Sequence, residues 1–245
     1  MDDTSSVSGG QCIRDIIAFT LIGLLLAPIW SIAEEQPLDS SHDRLTSPSV
    51  GKSCKGDSLE LKINRWTQGD TPWCWATSAA TVMSYLGTAN APCFVVDAVL
   101  RDRGELQMGI DCCDEATRDD FASGCLQSGT AGEAFLSFRF HFKYRLVAGS
   151  TKPMKFEEVT EELCNDRPFI SKMKSSGSSV GHIATVYGYV IDPASTGQVA
   201  VHDPEDDNPV PWYVPYDKWF HSKVYGHIGD YLSICDLNRA NCPVP

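Results

Sequence analysis

Hydrophobic positions recur with two different periods along this chain, and the change of period divides it. Trp75, Ala79, Val82, Met83 and Leu86 are spaced i, i+4, i+7, i+8 and i+11, one apolar face of an α-helix. Thr71 is the expected N-cap, and Pro72 suits the first helical position because its missing N–H would have no acceptor there. Gly87 is the expected C′ residue, free to take positive φ. Phe94–Arg103 predicts a second, shorter helix, and residues 104–130, rich in Gly, Asp and Cys, predict an irregular loop held by cross-links. At Phe138 the period becomes two. Phe138, Phe140, Phe142, Tyr144 and Leu146 alternate with Arg139, His141, Lys143 and Arg145, a half-buried strand. Phe156, Val159 and Leu163 predict a helix over 154–165, followed by strands over 168–174, 182–191, 198–203 and 230–235. Helices first and an antiparallel sheet afterwards give an α+β class, with a helical half over 54–137 and a β half over 138–245. No internal repeat is present.

Ahead of this domain, Ile16–Ala33 is a long uncharged apolar stretch, preceded by Arg14 and closed by Ser31-Ile32-Ala33. Small residues at −3 and −1 predict a secretory signal, residues 1–33, cut after Ala33. An uncleaved anchor is the competing reading, since eighteen residues approach the ~20 that span a bilayer. Either way the remainder is exported, to a secreted or periplasmic location, and meets a membrane only in transit unless the anchor is retained. Residues 34–53 are polar, contain Pro37 and Pro48 and lack periodicity, which predicts a flexible linker.

Charge narrows the partners. The net charge of −12 removes the basic footprint that nucleic-acid binding needs. It speaks for solubility and says little about the substrate.

The candidate chemistry starts in the first turn of the leading helix. Cys74 sits where unpaired N–H groups and the helix dipole, roughly +0.5 charge, favour a thiolate. Gln68, six residues upstream, supplies a side-chain amide for an oxyanion. Downstream, Gly181-His182-Ile183-Ala184-Thr185-Val186 places a histidine in an apolar strand, and Val199-Ala200-Val201-His202-Asp203-Pro204 follows with an acid. The order Gln68…Trp73-Cys74-Trp75-Ala76, then His182, then Asp203, resembles the papain-like cysteine peptidases, and most of all their compact bacterial members, which include secreted effectors. The resemblance covers roughly residues 60–220. It implies a helix carrying the cysteine against a β half carrying the histidine, no cofactor, no metal, and a protein or peptide substrate.

Under that resemblance Cys74 is the nucleophile and His182 the base, paired as thiolate and imidazolium, a setting that brings a cysteine pKa to ~3–4. Asp203 accepts the other imidazole N–H and fixes the tautomer. Gln68 and the Cys74 N–H form the oxyanion hole. A simple hairpin over 192–197 would set Asp203 opposite Val186, on the His182 face but four residues away, ~13 Å at ~3.3 Å per residue. A bulge or a bend at Pro204 is needed to close that gap; Asp192, Asp206 and Asp207 are the fallback orienters. His202 points to the opposite face. Trp75 belongs to the core, Trp73 is a candidate cleft wall, and the late cluster Trp212, Tyr213, Tyr216 and Trp219 reads as packing.

Of ten cysteines, Cys12 leaves with the signal. With Cys74 free, Cys54, Cys93, Cys112, Cys113, Cys125, Cys164, Cys235 and Cys242 suffice for four disulfides. Clustering pairs Cys93 and Cys125 with Cys112 and Cys113 in some order; a zinc site from the same four is the alternative. Three functional readings stand: peptide hydrolysis, acyl transfer or amidase chemistry on the same triad, and a catalytically silent binding module.

Overall fold

Thr77 donates the first hydrogen bond of the leading helix to Trp73 O at 2.8 Å. The helix α1 (Cys74–Tyr85) therefore begins two residues later than its signals predict. Thr71 is not its cap. The Thr71 hydroxyl donates instead to Gln68 O at 2.6 Å, closing a turn in which Gly69 takes φ +58°, a conformation glycine adopts without steric cost. Trp73 is the N-cap, with no side-chain cap bond. The far end forms as expected: Gly87 has φ +95°, and Gly87 N–H and Thr88 N–H donate to Ser84 O and Met83 O, the Schellman arrangement.

The computed structural model describes residue 54 and residues 56–147, 152–175, 181–194, 196–207, 210–220, 225–238 and 242. The apolar Ile16–Ala33 segment and the 34–53 linker lie outside them. Among the described residues no helix is long and apolar enough to cross a membrane.

Ten consecutive residues of α1, Cys74 to Met83, are buried, more than the single apolar face predicts. Ala76, Thr77, Ser78, Ala80 and Thr81 are small enough for neighbours to close on every side. Those neighbours are α2 (Pro92–Asp102), α4 (Ala131–Ser137) and the sheet strand β4 (Gly181–Val190). The sequence reading missed α4, although Thr130 and Glu133 write its capping box: Thr130 Oγ1 accepts from Glu133 N–H, and Glu133 accepts from Thr130 N–H. Arg103 ties α2 to that helix through Glu133 at 2.7 Å. Between α2 and α4 the loop holds only α3 (Glu115–Arg118) and a 3₁₀ turn at Phe121–Ser123.

The β half supplies β2 (Phe140–Leu146), β3 (Phe169–Ser175), β4, β5 (Gln198–His202), β6 (Trp212–Pro215) and β7 (Tyr225–Asp236), with α5 (Phe156–Cys164) and α6 (Tyr216–Phe220) interposed. The early strand β1 (Ser58–Glu60) joins them by pairing with the end of β4. All pairs are antiparallel, in the order β2-β7-β3-β4-β5-β6. The arrangement is α+β. One core lies between the sheet and α1, α2 and α4, taking Ile170, Ile183, Tyr231 and Ile234 from the strands. A second core holds Val159 and Leu163 of α5, Tyr216 and Phe220 of α6, and the tyrosines of β4.

Among the described residues the cysteines pair as Cys54–Cys164, Cys93–Cys113, Cys112–Cys125 and Cys235–Cys242, and Cys74 is in no disulfide. Both middle bonds obey the clustering argument, and they use every sulfur of the alternative zinc set. Cys54–Cys164 spans 110 residues, a loop whose closure restricts the unfolded chain by about 4–5 kcal/mol in the chain-entropy account.

Candidate active site

Strand register decides whether the downstream histidine and acid can meet. On β4 and β5, Val190, Tyr189 and Gly188 face Gln198, Val199 and Ala200, but Val186 and Thr185 face Val201 and His202. Tyr187 is the extra residue of a β-bulge. A bulge reverses the alternation, and the burial records it: Ala184 and Val186 before it and Tyr187 and Tyr189 after it all enter the same core. Gly188 is needed beside it, because a Cβ there would sit 2.6 Å from Leu59 O of β1. Continuing the shifted register brings Asp203 level with Ala184, two residues from His182 and not four. The gap anticipated from a simple hairpin is closed. His182 Nε2 and Asp203 Oδ1 are 2.8 Å apart.

A carboxylate oxygen accepts, so Nε2 of His182 carries the hydrogen and Nδ1 is the nitrogen available for proton exchange. Burial pushes the Asp203 carboxyl up, but the His182 hydrogen bond and charge, with the Glu205 N–H at 2.9 Å, outweigh it. The group is held below its ordinary value and stays a carboxylate. The side chains of His182 and Asp203 keep 20% and 22% exposure, enough to reach a substrate without being dissolved in water. Asp203 and not Asp192 is the partner; Asp192 instead accepts from the Ala194 N–H at 2.9 Å.

Helix α1 packs against β4. Cys74 is its first residue and 6% exposed, and an N–H at that position has no acceptor inside its own helix. One turn on, Ser78 Oγ donates to Ile183 O at 3.4 Å, so the start of α1 is fastened beside the residue that follows His182.

Gln68 lies in the segment leading into α1. Its backbone N–H donates to Pro204 O at 2.9 Å and its Nε2 to Thr71 O at 2.9 Å. The second contact uses one of two amide hydrogens and fixes the side chain's rotamer. The same segment is held at Trp66 O, which accepts from His202 Nε2 at 2.7 Å. Arg65 braces it further, donating to the Tyr187 hydroxyl at 2.9 Å and pairing with Glu60 at 3.3 Å. His202 points away from Asp203 as the strand alternation requires, yet its ring is not idle. Burial pushes its pKa down, and the Trp66 carbonyl and Asp203 only partly oppose that, so it remains neutral. Sequence reasoning set His202 aside; the only available signal was its place beside Asp203.

Trp73 requires a correction. It is 3% exposed, packs in the core, and donates its indole N–H to Cys125 O at 2.8 Å. A buried indole satisfied by the disulfide loop does not form a cleft wall. Trp75 is core as expected, with the Gly129 backbone against its ring: a Cβ there would meet it at 2.6 Å. Tyr216 and Trp219 are buried packing residues, and Trp219 meets Trp212 edge-on at 5.8 Å.

His182, Asp203 and Glu205 hold one ligand atom each within 4.8 Å of one another, a spacing that a divalent cation accepts. Oδ1 of Asp203 already receives both the imidazole and the Glu205 N–H. The group is arranged to orient a histidine.

A free cysteine at a helix start, a carboxylate-oriented histidine and a buried amide are the parts of acyl chemistry through a thiol. Comparison with known proteins gives the family. The profile of the Peptidase_C39 like family matches residues 60–233. Matching solved structures include the peptidase domain of Streptococcus ComA, described as a bi-functional ABC transporter involved in a quorum sensing pathway. It aligns at 15% identity over 72% of this chain and 98% of that chain, with a TM-score of 0.42. No curated protein matches. With the greater part of its length matched by the profile, this chain belongs to the Peptidase_C39-like family of cysteine peptidases.

Proposed function

We propose that this chain is an exported peptidase that hydrolyses peptide bonds through a thioacyl intermediate on Cys74. The observation that carries the reading is the 2.8 Å His182–Asp203 contact on a strand against which α1, the helix that Cys74 begins, is packed. Cys74 as thiolate attacks the scissile carbonyl carbon, and the oxygen takes the negative charge. Gln68 and the Cys74 backbone N–H donate to that oxygen. The imidazolium of His182 gives its Nδ1 proton to the leaving amine, and the C–N bond breaks. Water then gives a proton back to Nδ1 as its oxygen attacks the thioester, releasing the acid and restoring the thiolate. Asp203 holds the Nε2–H throughout, so that Nδ1 alone exchanges protons. Export is supported by the four disulfides and by the Ile16–Ala33 segment, since such bonds persist in oxidising compartments. The substrate class is a protein or peptide.

The fate of the acyl group tests the reading. Peptides digested in ¹⁸O-labelled water with an added amine acceptor should yield acids carrying the label. Products conjugated to the amine, with no labelled acid, would assign the chain to acyl transfer.

Gln68→Ala is expected to lower kcat by roughly 10²-fold with KM little changed, because its contact strengthens only as charge develops on the oxygen. Steady-state kinetics on a fluorogenic peptide checks it. A raised KM at unchanged kcat would make Gln68 a substrate-binding residue.

A further inference from the structure

His202, Asp203 and Pro204 are consecutive, and each grips a different part of the site. Asp203 takes His182 at 2.8 Å. Pro204 O takes the Gln68 N–H at 2.9 Å. His202 Nε2 meets Trp66 O at 2.7 Å. Trp66 and Gln68 flank Thr67, so the segment that carries the amide is held at two points by one strap. The rest of the segment turns at Gly69, φ +58°. A carbonyl can only accept, so Nε2 of His202 carries the hydrogen. His202 is 5% exposed.

We infer that His202 is a positioning residue for the oxyanion donor: its Nε2–H···O=C bond to Trp66 sets the 66–68 segment and thereby aims the Gln68 amide. This rests on the role given to Gln68 above. It also makes the His202–Pro204 strap a single element that orients the base on one side and the oxyanion donor on the other. A histidine there only to fill space could be replaced by any side chain of its size. The positioning role needs a donor at the place of Nε2, which glutamine reaches and leucine does not.

The test is a double-mutant cycle with the conservative variant included. His202→Leu should lower kcat about tenfold with KM unchanged, a part of the roughly 10²-fold that an oxyanion donor contributes. His202→Gln should stay within about threefold of the parent. In the Gln68→Ala background the leucine substitution should cost almost nothing more, since residues acting through one contact are not additive. The inference is overturned if His202→Leu is silent, if His202→Gln is as impaired as His202→Leu, or if the leucine costs as much with Gln68 absent as with it present. Hydrogen exchange at the Gln68 amide supplies a readout independent of turnover: faster in His202→Leu than in the parent and in His202→Gln, or the strap is refuted. If the parent cleaves no peptide, the peptidase reading falls, and exchange still decides the strap.

Discussion

Cys74→Ala is expected to abolish turnover while circular dichroism and thermal unfolding stay near those of the parent. The expected loss is several orders of magnitude, because without the sulfur no thioacyl intermediate forms and the remaining groups give only the residual catalysis of a bound, polarised carbonyl. The fold should tolerate the change. Alanine is a strong helix former, Cys74 makes no disulfide, and only one sulfur is removed from a core that extends through α1, α2 and α4. Residual activity above about 1% of the parent would remove Cys74 from the mechanism. A large loss of unfolding temperature would show instead that the sulfur was chiefly packing.

The second large effect is graded. His182→Ala should cost nearly as much as Cys74→Ala, since in the proposed mechanism it removes both the base and the imidazolium partner of the thiolate. Asp203→Ala should cost much less, for an orienter is less essential than the proton carrier it orients. Asp192→Ala should leave kcat at the parent value, because Asp192 serves its own turn at Ala194. Steady-state kinetics on one substrate across the three variants reads the order. If Asp203→Ala is silent and Asp192→Ala is impaired, the acid has been misassigned in spite of the 2.8 Å contact.

Part of the fold around this site was legible in the sequence because its signals are local. Gly87 and the apolar spacing of α1 followed from helix geometry, and the grouping of Cys93 and Cys125 with Cys112 and Cys113 followed from proximity, though not which bonds form. The early strand β1, the edge strand β6 and helix α6 were not legible. They are three, four and five residues long, too short for a period to show. The start of α1 was misplaced because Thr71 and Pro72 carry helix signals that a turn at Gly69 also uses. Register was the harder matter. A bulge at Tyr187 leaves no composition signal of its own, apart from Gly188 standing where β1 approaches closely, yet it decides that Asp203 reaches His182. Trp73 misled for a related reason: an indole beside a nucleophile reads equally as wall or core, and only the disulfide loop 52 residues away shows which.

The most direct measurement of the central claim is alkylation of the native protein with iodoacetamide at about pH 6, followed by peptide mapping. Among the described residues eight cysteines are in disulfides and Cys74 is in none. In the proposed mechanism the helix start and His182 together favour its thiolate, the reactive form. One adduct is expected, on the peptide that holds Trp73 and Trp75, and reduction under denaturing conditions should expose the other eight. Adducts at several cysteines of the native protein, or none at Cys74, would contradict the account.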